Sequence, residues 1–263
     1  TLYAVYEINS YTLTVNPNGG MYNGSLETKT YTLNYGEEKI VETPTKEGYT
    51  FTGWTVSKEN VLENNIVTMP SSDVTLEANY EINSYTLTVN PNGGMYNGSL
   101  ETKTYTLNYG EEKIVETPTK EGYTFTGWTV SKENVLENNI VTMPSSDVTL
   151  EANYEINSYT LTVNPNGGMY NGSVETKTYT LNYGEEKIVE NPTKEGYTFT
   201  GWTSTVPEAL NEGIVTMPSS DVTLEANYEI NSYTLTINPN GGVYNGTKEE
   251  TVYNLNYGEE KIV

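Results

Sequence analysis

The sequence predicts a tandem array of small, mainly β domains, each with at most a short α-helical segment (a small α+β variant). Three observations predict this fold class: a 74-residue repeat, an alternation of apolar and polar residues, and recurrent Asn-Gly turns. The 24 Tyr and three Trp residues indicate a folded chain. Hydrophobic residues make up only 35% of the sequence, which fits small domains with limited cores.

The repeat defines the domain organisation. The segment Glu-Ile-Asn-Ser-Tyr-Thr-Leu-Thr begins at Glu7 and recurs at Glu81, Glu155 and Glu229, and residues 81–154 are identical to residues 7–80. We predict five segments: 1–6 as the last strand of a preceding repeat, 7–80 as repeat 1, 81–154 as repeat 2, 155–228 as repeat 3 and 229–263 as a partial repeat 4. We therefore expect the chain to be part of a longer array.

The first half of repeat 1 reads as a hairpin with turns. Leu13 and Val15 alternate with polar residues, which predicts a half-buried strand. The Asn-Pro-Asn-Gly-Gly segment at 16–20 ends this strand, since Asn and Gly tolerate positive φ, and a second Asn-Gly follows at 23–24. Leu33 belongs to the next alternating run.

The second half adds four strands and one ambiguous stretch. We predict six strands, at residues 11–16, 30–35, 38–41, 48–54, 66–69 and 74–80. Gly53 marks a bulge that brings Phe51 and Trp54 to one face. Ser57–Asn64 is compatible with a helix capped by Ser57.

In repeat 3 that ambiguous stretch carries most of the substitutions, so we expect it to be an exposed excursion over the sheet. There Pro207 suits a first helical position and Gly213 suits a helix end. The core is predicted from the apolar members of the strands, namely Leu13, Val15, Leu33, Phe51, Trp54, Leu76, Phe125, Trp128, Phe199 and Trp202.

Composition excludes several functions. The chain has no Cys and no His, all 13 basic residues are Lys, and the net charge is −22. These counts exclude thiol and histidine catalysis, disulfides and most metal sites, and the charge opposes binding to nucleic acid. Apolar runs are too short for membrane insertion. The adjacent Glu37 and Glu38 point to opposite faces of a strand, so they are badly placed to act on one substrate. Together with the composition, this leads us to expect no catalytic residues, no metal site and no cofactor.

Tyrosines offer the one candidate binding surface. Tyr22, Tyr31 and Tyr35 are a possible ligand platform, because aromatic rings stack on sugars and peptides. Packing within the domain is the alternative role for these rings. Asn23-Gly-Ser also matches a glycosylation acceptor, although an Asn-Gly turn explains it equally.

These segments carry a family resemblance. Asn16-Pro-Asn-Gly-Gly, Asn34-Tyr-Gly-Glu, Pro44-Thr-Lys-Glu-Gly-Tyr-Thr-Phe-Thr-Gly-Trp and Val74-Thr-Leu-Glu-Ala-Asn-Tyr occur in the order of the Listeria-Bacteroides repeat, the B-repeat of internalin-type surface proteins, which repeat 1 resembles over its whole length. The resemblance implies a β-grasp-like, ubiquitin-like module in an extracellular, wall-anchored bacterial protein. Tyr80 departs from the pattern, in which the family often has Trp.

Two functional hypotheses remain open from the sequence. The first is a non-catalytic stalk that projects an adhesive or effector domain from the cell wall; the joins contain no Gly- or Pro-rich linker, so we expect an extended rod with ~30 Å per repeat. The second is a set of adhesin repeats that bind a host protein or glycan multivalently, or that self-associate. An aromatic cluster exposed on every repeat favours binding, and buried tyrosines favour the stalk.

Overall fold

The computed structural model describes residues 1–263. They form two compact units, one of Thr1–Pro118 with Gly127–Asn153 and one of Thr119–Thr126 with Tyr154–Val263. Unit 1 contains repeat 1 and most of repeat 2, and unit 2 contains the rest of repeat 2 with repeats 3 and 4. No helix of the protein has the length and apolar character needed to cross a lipid bilayer.

Repeat 1 contains seven strands, one more than predicted. They are β1 (Ser10–Asn16), β2 (Lys29–Asn34), β3 (Glu38–Ile40), β4 (Tyr49–Val56), β5 (Leu62–Glu63), β6 (Ile66–Thr68) and β7 (Val74–Ile82). The mainly β class is confirmed, whereas the predicted α-helical component is absent from this repeat. Residues 1–6 are exposed and form no regular secondary structure.

Four strands form the main sheet, in the order β2-β1-β7-β4. β1 and β2 pair as an antiparallel hairpin, with Leu13 opposite Tyr31. β7 lies parallel to β1, with Val74 beside Leu13, and antiparallel to β4. A parallel central pair flanked by antiparallel strands in this order is the β-grasp arrangement, as the resemblance implied.

The bulge at Gly53 is confirmed. The register of β4 against β7 shifts between Phe51 and Gly53, and Gly53 has a φ of 139°, which other residues rarely adopt. The extra residue brings the rings of Phe51 and Trp54 to one face, with their centroids 5.3 Å apart.

A second sheet covers the first, where a helix was expected. It contains β3, β6 and β5 in that order, and β5 lies near the end of the stretch, residues 57–64, that was predicted to be helical. That prediction is wrong because Ser57 does not cap a helix: its hydroxyl accepts a 2.8 Å hydrogen bond from the backbone N–H of Thr75 in β7. Asn64 and Asn65, both at positive φ, then turn the chain from β5 into β6.

Repeats 2 and 3 have the same main-sheet order. In repeat 2 the strands are β8 (Ser84–Asn90), β9 (Lys103–Asn108), β10 (Glu112–Ile114), β11 (Tyr123–Val130), β12 (Leu136–Glu137), β13 (Ile140–Thr142) and β14 (Val148–Ile156). In repeat 3 they are β15 (Ser158–Asn164), β16 (Lys177–Asn182), β17 (Glu186–Ile188), β18 (Tyr197–Ser204), β19 (Leu210–Asn211), β20 (Ile214–Thr216) and β21 (Val222–Ile230). The partial repeat 4 forms one hairpin, β22 (Ser232–Ile237) with β23 (Thr251–Asn256).

The one helical segment of the chain is a single 3₁₀ turn in repeat 3, Pro207–Ala209. Pro207 occupies the first helical position, as predicted. The helix ends at Ala209, however, so the expectation for Gly213 is wrong. Gly213 has a φ of 79° and lies in the turn between β19 and β20.

The core of repeat 1 lies between its two sheets. Leu13, Val15 and Leu76 of the main sheet are completely buried. Val67 and Met69, from β6 and the residue after it, belong to the same cluster. Equivalent residues form the cores of repeats 2 and 3, so each repeat buries an apolar interior of its own.

A carboxylate joins the two parallel strands at their shared end. Asp73, just before β7, accepts a 2.8 Å hydrogen bond from the backbone N–H of Thr12 in β1. Asp147 and Asp221 make the same contact, to Thr86 and Thr160. The contact spans 61 residues of sequence, so it fixes where β7 starts relative to β1.

The substitution Asp73→Ala should lower the free energy of unfolding of repeat 1 by about 1 kcal/mol, because the Thr12 N–H loses its acceptor. Asp73→Asn is the matched control and should cost less, since its side chain keeps an acceptor oxygen. Urea unfolding of the full chain labelled with 5-fluorotryptophan measures this through the ¹⁹F resonance of Trp54, the Trp of repeat 1. An Asp73→Ala midpoint equal to that of the unsubstituted chain would contradict the assignment.

Candidate binding surface and repeat junctions

The residues predicted for the core fall into two groups. The aliphatic side chains are enclosed: Leu13, Val15 and Leu76 are completely buried and Leu33 is 6% exposed. The Phe and Trp residues are half-buried, and they are Phe51, Trp54, Phe125, Trp128, Phe199 and Trp202.

These half-buried rings pack on one another, edge to face. In repeat 1 the ring centroids of Trp54 and Tyr22 are 6.2 Å apart and those of Phe51 and Tyr80 are 5.9 Å apart. Such edge-to-face pairs are worth ~0.5–1.5 kcal/mol each beyond the burial of their area. The aromatic side chains therefore stabilise one edge of each repeat.

Tyr22 does not belong to a surface platform, so its assignment is corrected. It is 1% exposed, and its ring packs against Trp54. Tyr22 precedes an Asn-Gly turn, where Asn23 and Gly24 have φ of 47° and 74°, and its N–H donates to the carbonyl of Ser25 across the turn. The loop folds back over the sheet edge, a placement that no local pattern in the sequence indicates.

Burial raises the pKa of these inward-facing tyrosines. The pKa of Tyr96 and of Tyr170 is raised to about 12, chiefly by burial, and that of Tyr22 is raised for the same reason. The Tyr31 hydroxyl lies beside the Tyr22 hydroxyl. The Tyr22 hydroxyl has no hydrogen-bond partner of good geometry. The neutral phenol is therefore strongly favoured in the folded state.

The chain itself covers Tyr31. Its ring is half-buried, and the ammonium group of Lys39 lies 4.4 Å from the ring centroid. The same cation–π pair recurs three times, as Lys113 over Tyr105, Lys187 over Tyr179 and Lys261 over Tyr253. A ligand that stacked on this ring would have to displace the lysine.

Tyr35 is the one member of the predicted platform that is open to solvent. It is 58% exposed and lines a cavity of about 310 Å³ with Ile8, Asn9, Tyr11 and Ser71. The equivalent residues of repeats 2 and 3, Tyr109 and Tyr183, are half-buried. The position thus has two environments in one chain.

Tyr109 is half-buried because it packs against repeat 1, within unit 1. Its ring covers the backbone of Gly48 so closely that a Cβ on Gly48 would overlap the ring. Tyr49 meets the same ring edge to face, with centroids 6.1 Å apart. The tyrosine of one repeat therefore seats on the Gly-Tyr turn of the repeat before it.

Hydrogen bonds surround this aromatic contact. The N–H of Asn83 donates to the carbonyl of Gly48 at 2.9 Å, and its side-chain oxygen accepts from the hydroxyl of Thr50 at 2.6 Å. The Ser145 hydroxyl donates to the Glu47 carboxylate at 3.0 Å. Sequence reasoning missed this junction, because its partners are spread along the chain and only the recurrence of Gly-Tyr and Asn-Tyr-Gly hints at them.

Unit 2 contains two further junctions of the same design. Asn157 donates to Gly122 at 2.9 Å, the Ser219 hydroxyl donates to Glu121 at 3.1 Å, and the Tyr183 ring covers Gly122. At the next junction, Asn231 donates to the carbonyl of Gly196 at 2.8 Å, and Tyr257 lies over the same glycine while 41% exposed. The junction is thus a repeated structural feature.

Glu37 and Ser25, two residues singled out from the sequence, serve turns. Glu37 accepts a 2.9 Å hydrogen bond from the Asn34 N–H, while Glu38 is exposed on β3. The Ser25 hydroxyl accepts from the Glu27 N–H, which explains the Asn-Gly-Ser segment as turn chemistry. The structure brings no three potential metal-ligating side chains together.

Comparison with known proteins identifies the repeats. A family model described as the divergent InlB B-repeat domain matches residues 11–84, 85–158 and 159–232. A putative Gly-rich membrane protein of Evansella cellulosilytica is 35% identical over 92% of this chain, and a putative membrane protein of the same organism is 33% identical over 89%. Internalin H of Listeria monocytogenes is 41% identical over 47% of the chain.

These alignments cover a minor part of each relative. The chain spans 28% and 34% of the two Evansella proteins and 21% of internalin H. Among solved structures, a pair of SHIRT domains from a streptococcal cell surface protein matches 56% of this chain and 98% of its own length, at 15% identity and a TM-score of 0.20.

Stability should fall at high pH because of the buried tyrosines. Their folded-state pKa lies above the value of ~10 in the unfolded chain, so their contribution is complete below pH ~10 and is lost as pH rises towards 12. Urea midpoints at pH 8, 10, 11 and 12 measure this loss. Replacing Tyr22, Tyr96 and Tyr170 together by Phe should flatten the decline, whereas Tyr35→Phe, at an exposed position, should leave it unchanged. An equally steep decline in the triple variant would contradict the prediction.

Proposed function

The chain belongs to the divergent InlB B-repeat family, and we propose that it is a non-catalytic stalk region of a bacterial cell-surface protein that projects an adhesive or effector domain from the cell wall. The observation behind this proposal is that most tyrosines at the predicted platform positions are in contact with other parts of the chain. Tyr22 is buried, Tyr31 lies under a lysine, and the copies of Tyr35 in repeats 2 and 3 seat on the preceding repeat. Apart from Tyr35, the tyrosines at the predicted platform positions therefore serve contacts within the chain.

The joins support a spacing role, because they leave little chain that can bend. β7 ends at Ile82 and β8 begins at Ser84, so Asn83 alone separates them. Both backbone groups of Asn83 are bonded, its N–H to Gly48 and its carbonyl to the N–H of Tyr109. A residue held in this way is a poor hinge, so each repeat should add a fixed increment of length.

Charge supports the same role. The net charge of −22 is distributed over all the repeats, because each one carries more Glu and Asp than Lys. Like charges on successive repeats oppose their collapse onto one another, although physiological salt limits this repulsion to ~8 Å. Repeat boundaries at residues 7, 81, 155 and 229 remain part of the proposal, as does an extracellular, wall-anchored location.

One observation favours the alternative of multivalent adhesin repeats. Apolar side chains at three equivalent positions are exposed in every full repeat, and they are Met21, Leu26 and Ile40 in repeat 1, Met95, Leu100 and Ile114 in repeat 2, and Met169, Val174 and Ile188 in repeat 3. Recurring exposed apolar residues are a feature of surfaces that bind a protein or glycan weakly at each copy.

Deletion of residues 81–154, one whole period, separates the two roles. Tyr80 then precedes Glu155, as it precedes the identical Glu81 in the parent chain, so the new join is chemically unchanged. By size scaling, the maximum dimension from small-angle scattering should fall by ~30 Å. On a bacterial surface, exposure of a displayed reporter domain should fall with it, and an unrelated rigid module of equal length should restore it.

Two results would contradict the stalk. One is an unchanged maximum dimension after the deletion. The other is binding of the isolated chain to host cells or glycans with an affinity that rises steeply with copy number and is lost when the three exposed positions of each repeat are changed to Ser. Concentration-dependent association of the chain with itself would instead support filament formation.

A further inference from the structure

Gly48 has two separate reasons to be glycine. Its φ of +73° lies in the left-handed region, which is strained for residues that carry a Cβ. It is also buried under the Tyr109 ring, where a Cβ has no space. The first reason belongs to the turn of repeat 1, and the second exists only because repeat 2 is present.

Other glycines of the chain have the positive φ but not the crowding. Gly110 follows Tyr109, has a φ of +77°, and a Cβ there would meet nothing within 4 Å. Gly36 is its equivalent in repeat 1 and is equally open. An Ala at Gly110 therefore experiences backbone strain alone, whereas an Ala at Gly48 experiences that strain and a clash with the neighbouring repeat.

The tyrosine position can likewise be compared with and without its contact to a neighbouring repeat. Tyr35 and Tyr109 occupy the same position of two repeats with identical sequence, and only Tyr109 has a glycine turn beneath it. Removing the Tyr35 ring deletes an exposed side chain, 58% accessible. Removing the Tyr109 ring deletes the same side chain together with its contact to Gly48 and Tyr49.

We propose that this contact, the Gly48–Tyr109 latch, is a recognition surface between successive repeats that couples their unfolding. Its partner chemistry is specific: a glycine at positive φ, flanked by a carboxylate that accepts from Ser145 and by a tyrosine that meets the Tyr109 ring. A neighbour with any side chain in place of Gly48 is excluded by overlap.

Because each repeat is small, the latch should contribute a large share of its stability. A domain of 74 residues has little stability of its own. In arrays of small repeats, total stability is the sum of the stability of each repeat and of the interface with its neighbour. The latch supplies that interface in unit 1, so repeat 2 is more stable while repeat 1 is folded. Such shared stability would operate in a stalk and in an adhesin alike.

The test is a double-mutant cycle on the full chain labelled with 5-fluorotryptophan. Trp54 reports repeat 1 and Trp128 reports repeat 2 as separate ¹⁹F resonances, each assigned by its loss in the corresponding Trp→Phe chain. Val15→Ala weakens the core of repeat 1, where Val15 is completely buried. The measured quantity is the urea midpoint of the Trp128 resonance.

With the latch intact, Val15→Ala should lower the Trp128 midpoint along with that of Trp54. In the Tyr109→Ala background the same substitution should lower only the Trp54 midpoint. Tyr35→Ala is the matched control and should leave the coupling as in the parent chain. The result holds even if Val15→Ala unfolds repeat 1 completely, because repeat 2 still loses its neighbour.

A second pair tests the glycine. Gly48→Ala should abolish the coupling, whereas Gly110→Ala should retain it, although both place Ala at a positive φ. If Gly48→Ala fails to fold, the Tyr109→Ala arm decides alone. A Trp128 midpoint that ignores Val15→Ala in the parent chain, or that still follows it in Tyr109→Ala, would overturn the proposal.

Discussion

The structure of each repeat depends on its last strand. In repeat 1, β7 lies in the middle of the main sheet, parallel to β1 and antiparallel to β4, although it is the last strand in sequence. The sheet is therefore incomplete until about 60 residues after β1 have been ordered, which makes the repeat a single cooperative element. The same strand also leads into the next repeat, since Glu81 and Ile82 still pair with Thr50 and Tyr49 of β4.

This continuity explains why the aromatic residues lie where they do. The Gly48-Tyr49 turn lies at the start of β4, next to the join, and Tyr109 of the following repeat packs against it. Farther from the join, the rings of Tyr22, Phe51 and Trp54 pack edge to face on one another and cover the interior of the repeat. A small domain with few large apolar residues uses its aromatic side chains for stability first, which leaves few of them for a ligand.

Sequence patterns predicted the features that depend on local chemistry. The alternation around Leu13 and Val15, the Asn-Gly turns and the Gly53 bulge all follow from backbone preferences and period-2 burial. The helix expected at Ser57 did not form, because its hydroxyl bonds to Thr75 across the sheet. Tertiary contacts of this kind, like the burial of Tyr22, join residues distant in sequence and leave no local pattern.

We propose that successive repeats are joined without a hinge, and the width of an interspin distance distribution measures how far the join bends. The chain has no cysteine, so Glu63→Cys and Glu137→Cys, at equivalent exposed positions of repeats 1 and 2, give two specific spin labels. A chain with Gly-Ser-Gly-Ser inserted between Asn83 and Ser84 supplies the flexible reference. A join without a hinge should give one narrow distance peak for the parent chain and a broad one for the reference. A parent distribution as broad as that of the reference would contradict it.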